Sequence, residues 1–161
     1  MKSSATSTKI QNYLNKQREK ENEKYELLID DTIDVFGVTL FRIKALISFG
    51  NVAKGDLGGY VKKEDNLSHS GNAWVSGNAE VYGNAEVYGN ADYVVFKNHW
   101  SSGRYFTYTK SNKMWKVGCF YGTGQELIKK AYKDSENSGK NYEAYVKFVE
   151  KLEEINNEKH N

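Results

Sequence analysis

Along the middle of the chain, small and apolar residues return at fixed intervals. From Gly71 the sequence reads GNAWVS, GNAEVY, GNAEVY, GNADYV, which places glycine at Gly71, Gly77, Gly83 and Gly89. Alanine follows at Ala73, Ala79, Ala85 and Ala91, and valine at Val75, Val81 and Val87. A period of six suits neither a plain helix nor a single hairpin, but it suits a chain that runs a short strand and then turns a corner, repeatedly. Gly-Asn supplies the corner, because both residues tolerate left-handed backbone. Alanine and valine lie two apart on an extended strand, point the same way and fill an interior. Three walls converging on a narrow axis leave little more room than alanine needs. This is the hexapeptide pattern of a left-handed parallel β-helix, with about 18 residues per triangular coil. A tandem of Gly-Asn hairpins is the alternative source of such periodic turns.

A degenerate upstream copy places Val61 and Leu67 in the alanine phase, so the repeat zone covers residues 57–94, about two coils. The geometry predicts contacts eighteen residues apart: Asn72 on Asn90, Trp74 on Asp92, Ser76 near Val94, with Tyr82 and Tyr88 on different faces. So short a solenoid cannot cover its own ends, and the flanks are expected to cap it. Upstream, Ile33, Val35, Val38, Leu40 and Ala45 alternate around Gly37, which predicts a hairpin. Before it, the mixed-charge run KQREKENEK and a weak stripe of Ile10, Tyr13, Leu14 and Gln17 read as a mobile or frayed helical arm. Downstream, Tyr93 to Lys97, Arg104 to Lys110 and Met114 to Tyr121 read as three strands of a meander, joined by Ser-Ser-Gly and Ser-Asn-Lys turns. Thr123 and Glu126 have capping-box spacing and open a helix with Leu127, Ile128, Ala131 and Tyr132 on one face. A final helix carries Tyr142, Tyr145, Val146, Val149 and Leu152. The expected fold is mainly β with α caps: an arm over 1–26, a β-hairpin cap over 27–56, the repeat over 57–94, and a meander plus two helices over 95–161.

At 161 residues and 18.4 kDa the chain has room for one compact domain, or one with a short appendage. Proline is absent, where average usage would give roughly eight. The longest apolar stretch, Val38 to Phe49, is broken by Arg42 and Lys44, which argues against a membrane span. No hydrophobic segment follows Lys2, so a cytoplasmic address is expected. A single cysteine, Cys119, agrees with a reducing compartment and speaks against a thiolate-rich zinc site. The net charge of +2 hides a basic island: residues 93–133 hold 8 Lys and Arg against 1 acidic residue, whereas 61–92 hold 2 against 5 and 134–161 hold 4 against 7.

The run KALISFGNVAKGDLGGYV, the GNA array, then NADYVVF and VGCFYGT before a helix resembles a family of small proteins carried by phages and prophages of Gram-positive bacteria. The resemblance covers about residues 33 to 134 and is most specific at KGDLGGY and GCFYGT. It implies a capped left-handed β-helix and a mobile-element origin. It implies no established activity.

Hexapeptide β-helices are best known as acyltransferases, which use a histidine as general base. His69, His99 and His160 have no carboxylate orienter that the sequence identifies, and about two coils make a short wall for an acyl carrier. Cys119 sits in an apolar strand with no histidine beside it and reads as a packed small hydrophobe. KGDLGGY lacks the Gly-Lys-Ser/Thr of a P-loop and reads as the bend into the first coil. Glu80 and Glu86 take outward positions on different faces, which separates them. The functional signal is the basic island, where Lys97, Arg104, Lys110, Lys113 and Lys116 alternate with Trp100, Tyr105, Phe106, Tyr108 and Trp115. That mixture suits a protein interface or a nucleic-acid contact; its bland reading is a capping core with edge-protecting lysines.

The expectation is therefore a non-enzymatic phage or mobile-element protein that binds a host protein stoichiometrically and inhibits host defence, with a CRISPR effector nuclease or its nucleic-acid complex as one target. Its contact residues would be Lys97, Trp100, Arg104, Tyr105, Tyr108, Lys110, Lys113, Trp115 and Lys116, with no cofactor or metal. A hexapeptide acyltransferase and a nucleic-acid-binding or self-assembling phage protein are the alternatives.

Overall fold

A computed structural model describes residues 9–11, 23–35, 37–89 and 92–159. The fold is mainly β, with two four-stranded sheets and two helices at the C-terminal end. Strands β1 (Tyr25–Val35) and β2 (Val38–Ala45) form the expected antiparallel hairpin, turned at Gly37 with φ 81°. Its register jumps between Leu28 and Thr32. Asp31 in that bulge is tied back to Arg42 at 2.8 Å, while Ile29 stands in solvent. The hairpin starts at Tyr25, two residues before the expected boundary, and Lys24 and Tyr25 are buried rather than part of a solvated arm. The rest of that arm lies outside the described residues apart from residues 9–11, which are helical and exposed.

Strand β3 (Leu57–Val61) pairs antiparallel with β2, and β4 (Glu80–Val81) pairs parallel with β3. Gly58 and Gly59 are dictated by this crossing: a β-carbon there would lie 2.5 Å from the carbonyl oxygens of Val75 and Ala79 respectively. The repeat turns its small residues inward. Ala73, Ala79 and Ala85 are buried together with Val75, Val81 and Val87, in one cluster with Tyr25, Ile43, Val61, Leu67 and Trp74. Gly71, Gly77 and Gly83 take positive φ, as the corner argument requires, whereas Gly89, the fourth expected corner, does not.

The expected eighteen-residue step is not the one found. Val61 pairs with Val81 and Leu67 with Val87, each twenty residues on, so the upstream copy stands in the valine phase and not the alanine phase. The reason is a longer connection: eight residues separate Leu67 from Val75, where six separate Val75, Val81 and Val87. Ser76, expected near Val94, meets Tyr93 instead, whose hydroxyl accepts from its amide at 3.0 Å. The stack of Asn72 on Asn90, and Ala91, lie outside the described residues. Asn66, in a one-turn 3-10 helix (Glu64–Asn66), staples successive levels of the wrap. Its Oδ1 accepts from the Lys62 and Lys63 amides, and its Nδ2 donates to the Gly83 and Ala85 carbonyls.

The second sheet is an antiparallel meander of β5 (Tyr93–Lys97), β6 (Tyr105–Thr109), β7 (Met114–Val117) and β8 (Phe120–Thr123). The stretch Met114 to Tyr121, expected as one strand, is two. Gly118 has φ 54° and turns the chain so that Val117 pairs with Phe120. Helix α1 (Gly124–Asp134) opens with the expected capping box, Thr123 Oγ1 accepting from the Glu126 amide at 3.2 Å and the Glu126 carboxylate accepting from the Thr123 amide at 3.0 Å. Helix α2 (Glu136–Lys159) lays Tyr142, Val146 and Val149 on the meander. No helix among the described residues is long and apolar enough to cross a membrane.

Candidate interaction surface

Successive side chains of a strand point to opposite faces, and in the meander that alternation sorts the predicted contact residues. Phe106, Tyr108, Trp115 and Val117 turn toward the helices and form one core with Leu127, Ala131, Tyr142, Val146 and Val149. Residues of the other parity turn toward the repeat. The Thr107 hydroxyl accepts from the Glu80 amide at 3.0 Å, Tyr82 packs on Tyr121 with ring centroids 4.6 Å apart, and Tyr93 and Val95 pack on the first core. The meander is thus a plate between two layers.

Three predicted contact residues are removed from the surface by this arrangement. Trp115 and Tyr108 are 2% and 5% exposed. The Tyr108 hydroxyl donates to Glu153 at 2.6 Å, and burial, then that bond, pushes its proton affinity up. Lys116 is 3% exposed; it faces Glu80 at 3.6 Å and donates to the Gly118 carbonyl. Burial lowers the Lys116 pKa and raises that of Glu80, in each case against the opposing effect of the partner charge. Glu80 is therefore not an outward, solvated position. Cations and aromatics that alternate in sequence separate onto two faces, so the mixed surface expected along the strands does not exist there.

At the ends of the strands the mixture survives. Lys97, Trp100, Arg104 and Tyr105 meet where β5 runs into β6, with Lys97 Nζ 5.9 Å from the centre of the Tyr105 ring and Lys97, Arg104 and Tyr105 exposed. Helix α2 extends this end. Tyr145 stacks on Trp100 with centroids 5.8 Å apart, its hydroxyl lies 3.3 Å from His99 Nδ1, and Phe148 stands half in solvent beside Phe96. Lys110 and Lys113 lie in the turn at the opposite end of β6, a strand length of roughly 16 Å away. The nine predicted residues are therefore four at one end, two at the other and three in the interior. Tyr145 and Phe148 were not among them, because only the packing of α2 against β5 brings them to the same end, and His99, beside Trp100 in the loop, was not among them either.

The other singled-out side chains have local roles. His69 Nδ1 accepts from the Lys24 amide at 3.1 Å, and its ring stacks on Tyr25 at 4.1 Å. Glu23, Glu64 and His69 bring potential ligand atoms within 4.8 Å of one another. However, a neutral ring that accepts at Nδ1 carries its proton on Nε2, so this imidazole offers no lone pair to a cation. Lys24 Nζ donates to the Ala73 carbonyl at 2.5 Å and lies 4.7 Å from the Phe49 ring centre, and burial lowers its pKa. Cys119 is exposed in the β7–β8 turn, not packed in a strand as expected. Glu86 is exposed and accepts from the Tyr88 hydroxyl at 2.6 Å. No family model matches the chain, and no curated protein matches it at a significant level.

Proposed function

We propose that residues 57–94 wind as a short left-handed parallel β-helix of about two coils, and that the protein built on it is a non-enzymatic binding protein of phage or mobile-element origin. It acts on a host protein by stoichiometric contact, in the cytoplasm of the host cell, with the nuclease of a CRISPR defence system as the first target to test. The winding is supported by parallel pairing, inward alanine and valine, and glycine corners at Gly71, Gly77 and Gly83.

One observation carries the functional reading: at the β5–β6 end of the meander Lys97, Arg104 and Tyr105 are exposed, and on the helix side of the same end Trp100 and Phe96 carry Tyr145 and Phe148. Tryptophan, tyrosine and arginine side chains presented on a firm base are the composition of interface hot spots. The base is firm because Trp100 also packs edge-on against Tyr142 and Phe106, both buried.

Titration of a purified effector nuclease with the protein tests this. Inhibition that saturates at an equivalence point is expected for a stoichiometric binder; substoichiometric, time-dependent loss of activity would mark an enzyme. Lys97→Glu with Arg104→Glu should abolish inhibition and co-elution, whereas Lys110→Glu with Lys113→Glu should leave both intact. Full-strength binding by the first pair would sink the assignment of this end.

A further inference from the structure

Beside that end, the layer between meander and helices opens into a cavity of about 270 Å³, bounded by the 98–104 loop, the β7–β8 turn and the facing sides of α1 and α2. Its polar lining consists mainly of donors. Ser102 Oγ accepts from the Arg104 amide at 3.2 Å, Ser138 Oγ from the Trp100 indole at 3.5 Å, and the Tyr142 hydroxyl from Asn98 Nδ2 at 3.3 Å. A hydroxyl that accepts still holds its own proton to give. Among the described residues none of these three protons has an acceptor.

Arg104 adds a guanidinium with no direct salt bridge among the described residues, although its charge is felt at longer range by Glu80. Its side chain lies flat over Gly118, where a β-carbon would come 2.9 Å from Cζ. Glycine at 118 therefore seats the guanidinium at the cavity mouth. Lys130 also lines the cavity and is paired with Asp134 at 3.2 Å, so Arg104 is the lining cation without a direct ion pair among the described residues. Asn98 also lines the cavity; it is 5% exposed and its Oδ1 accepts no hydrogen bond from the described residues. Buried carbonyls without a partner are uncommon in folded proteins.

We propose that this cavity binds a phosphomonoester. Three hydroxyl protons and the guanidinium fork supply about five converging donors, more than the roughly four lone-pair sites of a carboxylate and well matched to three phosphate oxygens. At about 30 Å³ per water the cavity has the volume of about nine waters, more than the phosphate group fills. The remaining space runs along Val117 and Leu127, apolar walls suited to the carbon part of the ester. A hydroxyl of the ester, or the acid proton of its monoanion, gives Asn98 Oδ1 its donor. The phosphate could be carried by a free metabolite or by the 5′ end of a nucleic-acid strand.

The test is an amide-shift NMR titration of the full chain with inorganic phosphate, with glycerol 3-phosphate, and with one oligonucleotide bearing either a 5′-phosphate or a 5′-hydroxyl, against sodium chloride at matched ionic strength. Saturable shifts confined to residues 98–104, 117–119 and 138–142 are expected, with glycerol 3-phosphate tighter than inorganic phosphate. Arg104→Gln, an exposed position, should weaken binding by about tenfold or more, the loss of charge-assisted hydrogen bonds. Gly118→Ala, which unseats the guanidinium, should do the same, and Ser138→Ala should weaken binding less. Tighter binding of the 5′-phosphorylated strand than of glycerol 3-phosphate assigns the site to a nucleic-acid end, and the reverse assigns it to a metabolite; either upholds the proposal. Shifts no larger than those from chloride, or equal affinity in Arg104→Gln, would overturn it. The assay needs no protein partner, so its failure leaves the stoichiometric reading standing.

Discussion

Replacing Glu80 by glutamine tests how the meander is held to the repeat. The substitution keeps the size and one acceptor oxygen but removes the charge that faces Lys116 at 3.6 Å. At an effective dielectric of about 20, that pair attracts by roughly 5 kcal/mol. Taking each ion out of water costs several kcal/mol, so the intact pair nets close to zero. The pKa directions agree, since burial outweighs the partner's charge for both groups. In Glu80→Gln the Lys116 ammonium stays buried and keeps the Gly118 carbonyl, but it loses its counter-charge. We expect a loss of about 3 kcal/mol, the usual cost of breaking a buried pair from one side. Glu80→Gln combined with Lys116→Met should return to within about 1 kcal/mol of the parent, because no isolated charge remains. Urea unfolding followed by tryptophan fluorescence measures both, and midpoints shifting at constant m-value report stability alone. A single variant as stable as the parent, or a double variant no better than the single, would refute this account.

Asn66→Ala removes four hydrogen bonds at once and strands the Lys63 amide and the Gly83 and Ala85 carbonyls, while the Lys62 amide keeps the Val81 carbonyl at 3.2 Å; a loss of about 3 kcal/mol in the same assay is expected. Gly59→Ala forces a β-carbon against the Ala79 carbonyl at 2.5 Å and should cost about 2 kcal/mol or more, whereas Gly55→Ala, with open space around it but φ 93°, tests backbone strain alone. Burial raises the pKa of Tyr25, whose hydroxyl donates to the Leu67 carbonyl at 2.6 Å. The folded state therefore holds this proton where the unfolded chain has released it, so stability should fall as pH rises above 10.0. Tyr25→Phe should flatten that part of the pH–stability curve, and an unchanged slope would assign the effect to another group.

Much of the fold was legible because it rests on short-range rules. A six-residue spacing of small residues placed Ala73, Ala79 and Ala85 inside, Gly37 marked the hairpin turn, and Thr123 with Glu126 marked the start of α1. What the sequence hid depends on events between segments. The extra two residues between Leu67 and Val75 change the step of the wrap, and no local pattern says on which side of Gly71 they are absorbed. The turn at Gly118 was masked by apolar neighbours on both sides, so two strands read as one. The contact surface was misread for a related reason. A strand that carries aromatics at one parity and cations at the other looks mixed until something covers each face, and here both faces are covered: the helices take Tyr108 and Trp115, and the repeat takes Lys116.

Under the proposed binding function, the same covering leaves strand ends and loops as the contact surface, and this makes Arg104 pivotal. Its guanidinium belongs at once to the exposed end that carries Lys97 and Tyr105 and to the mouth of the cavity that holds Asn98. One guanidinium cannot be fully committed to a phosphate in the cavity and to an acidic group on a protein partner. Phosphate should therefore compete with partner binding at Arg104 beyond its effect as a salt. The comparison is the affinity for the purified nuclease in phosphate buffer against a zwitterionic buffer brought to equal ionic strength with sodium chloride. Weaker binding in phosphate is expected for the parent, and no difference is expected for Arg104→Gln, where the shared group is gone. An equal effect of phosphate on both proteins would show that the anion acts elsewhere, and that the cavity and the exposed end do not communicate through this side chain.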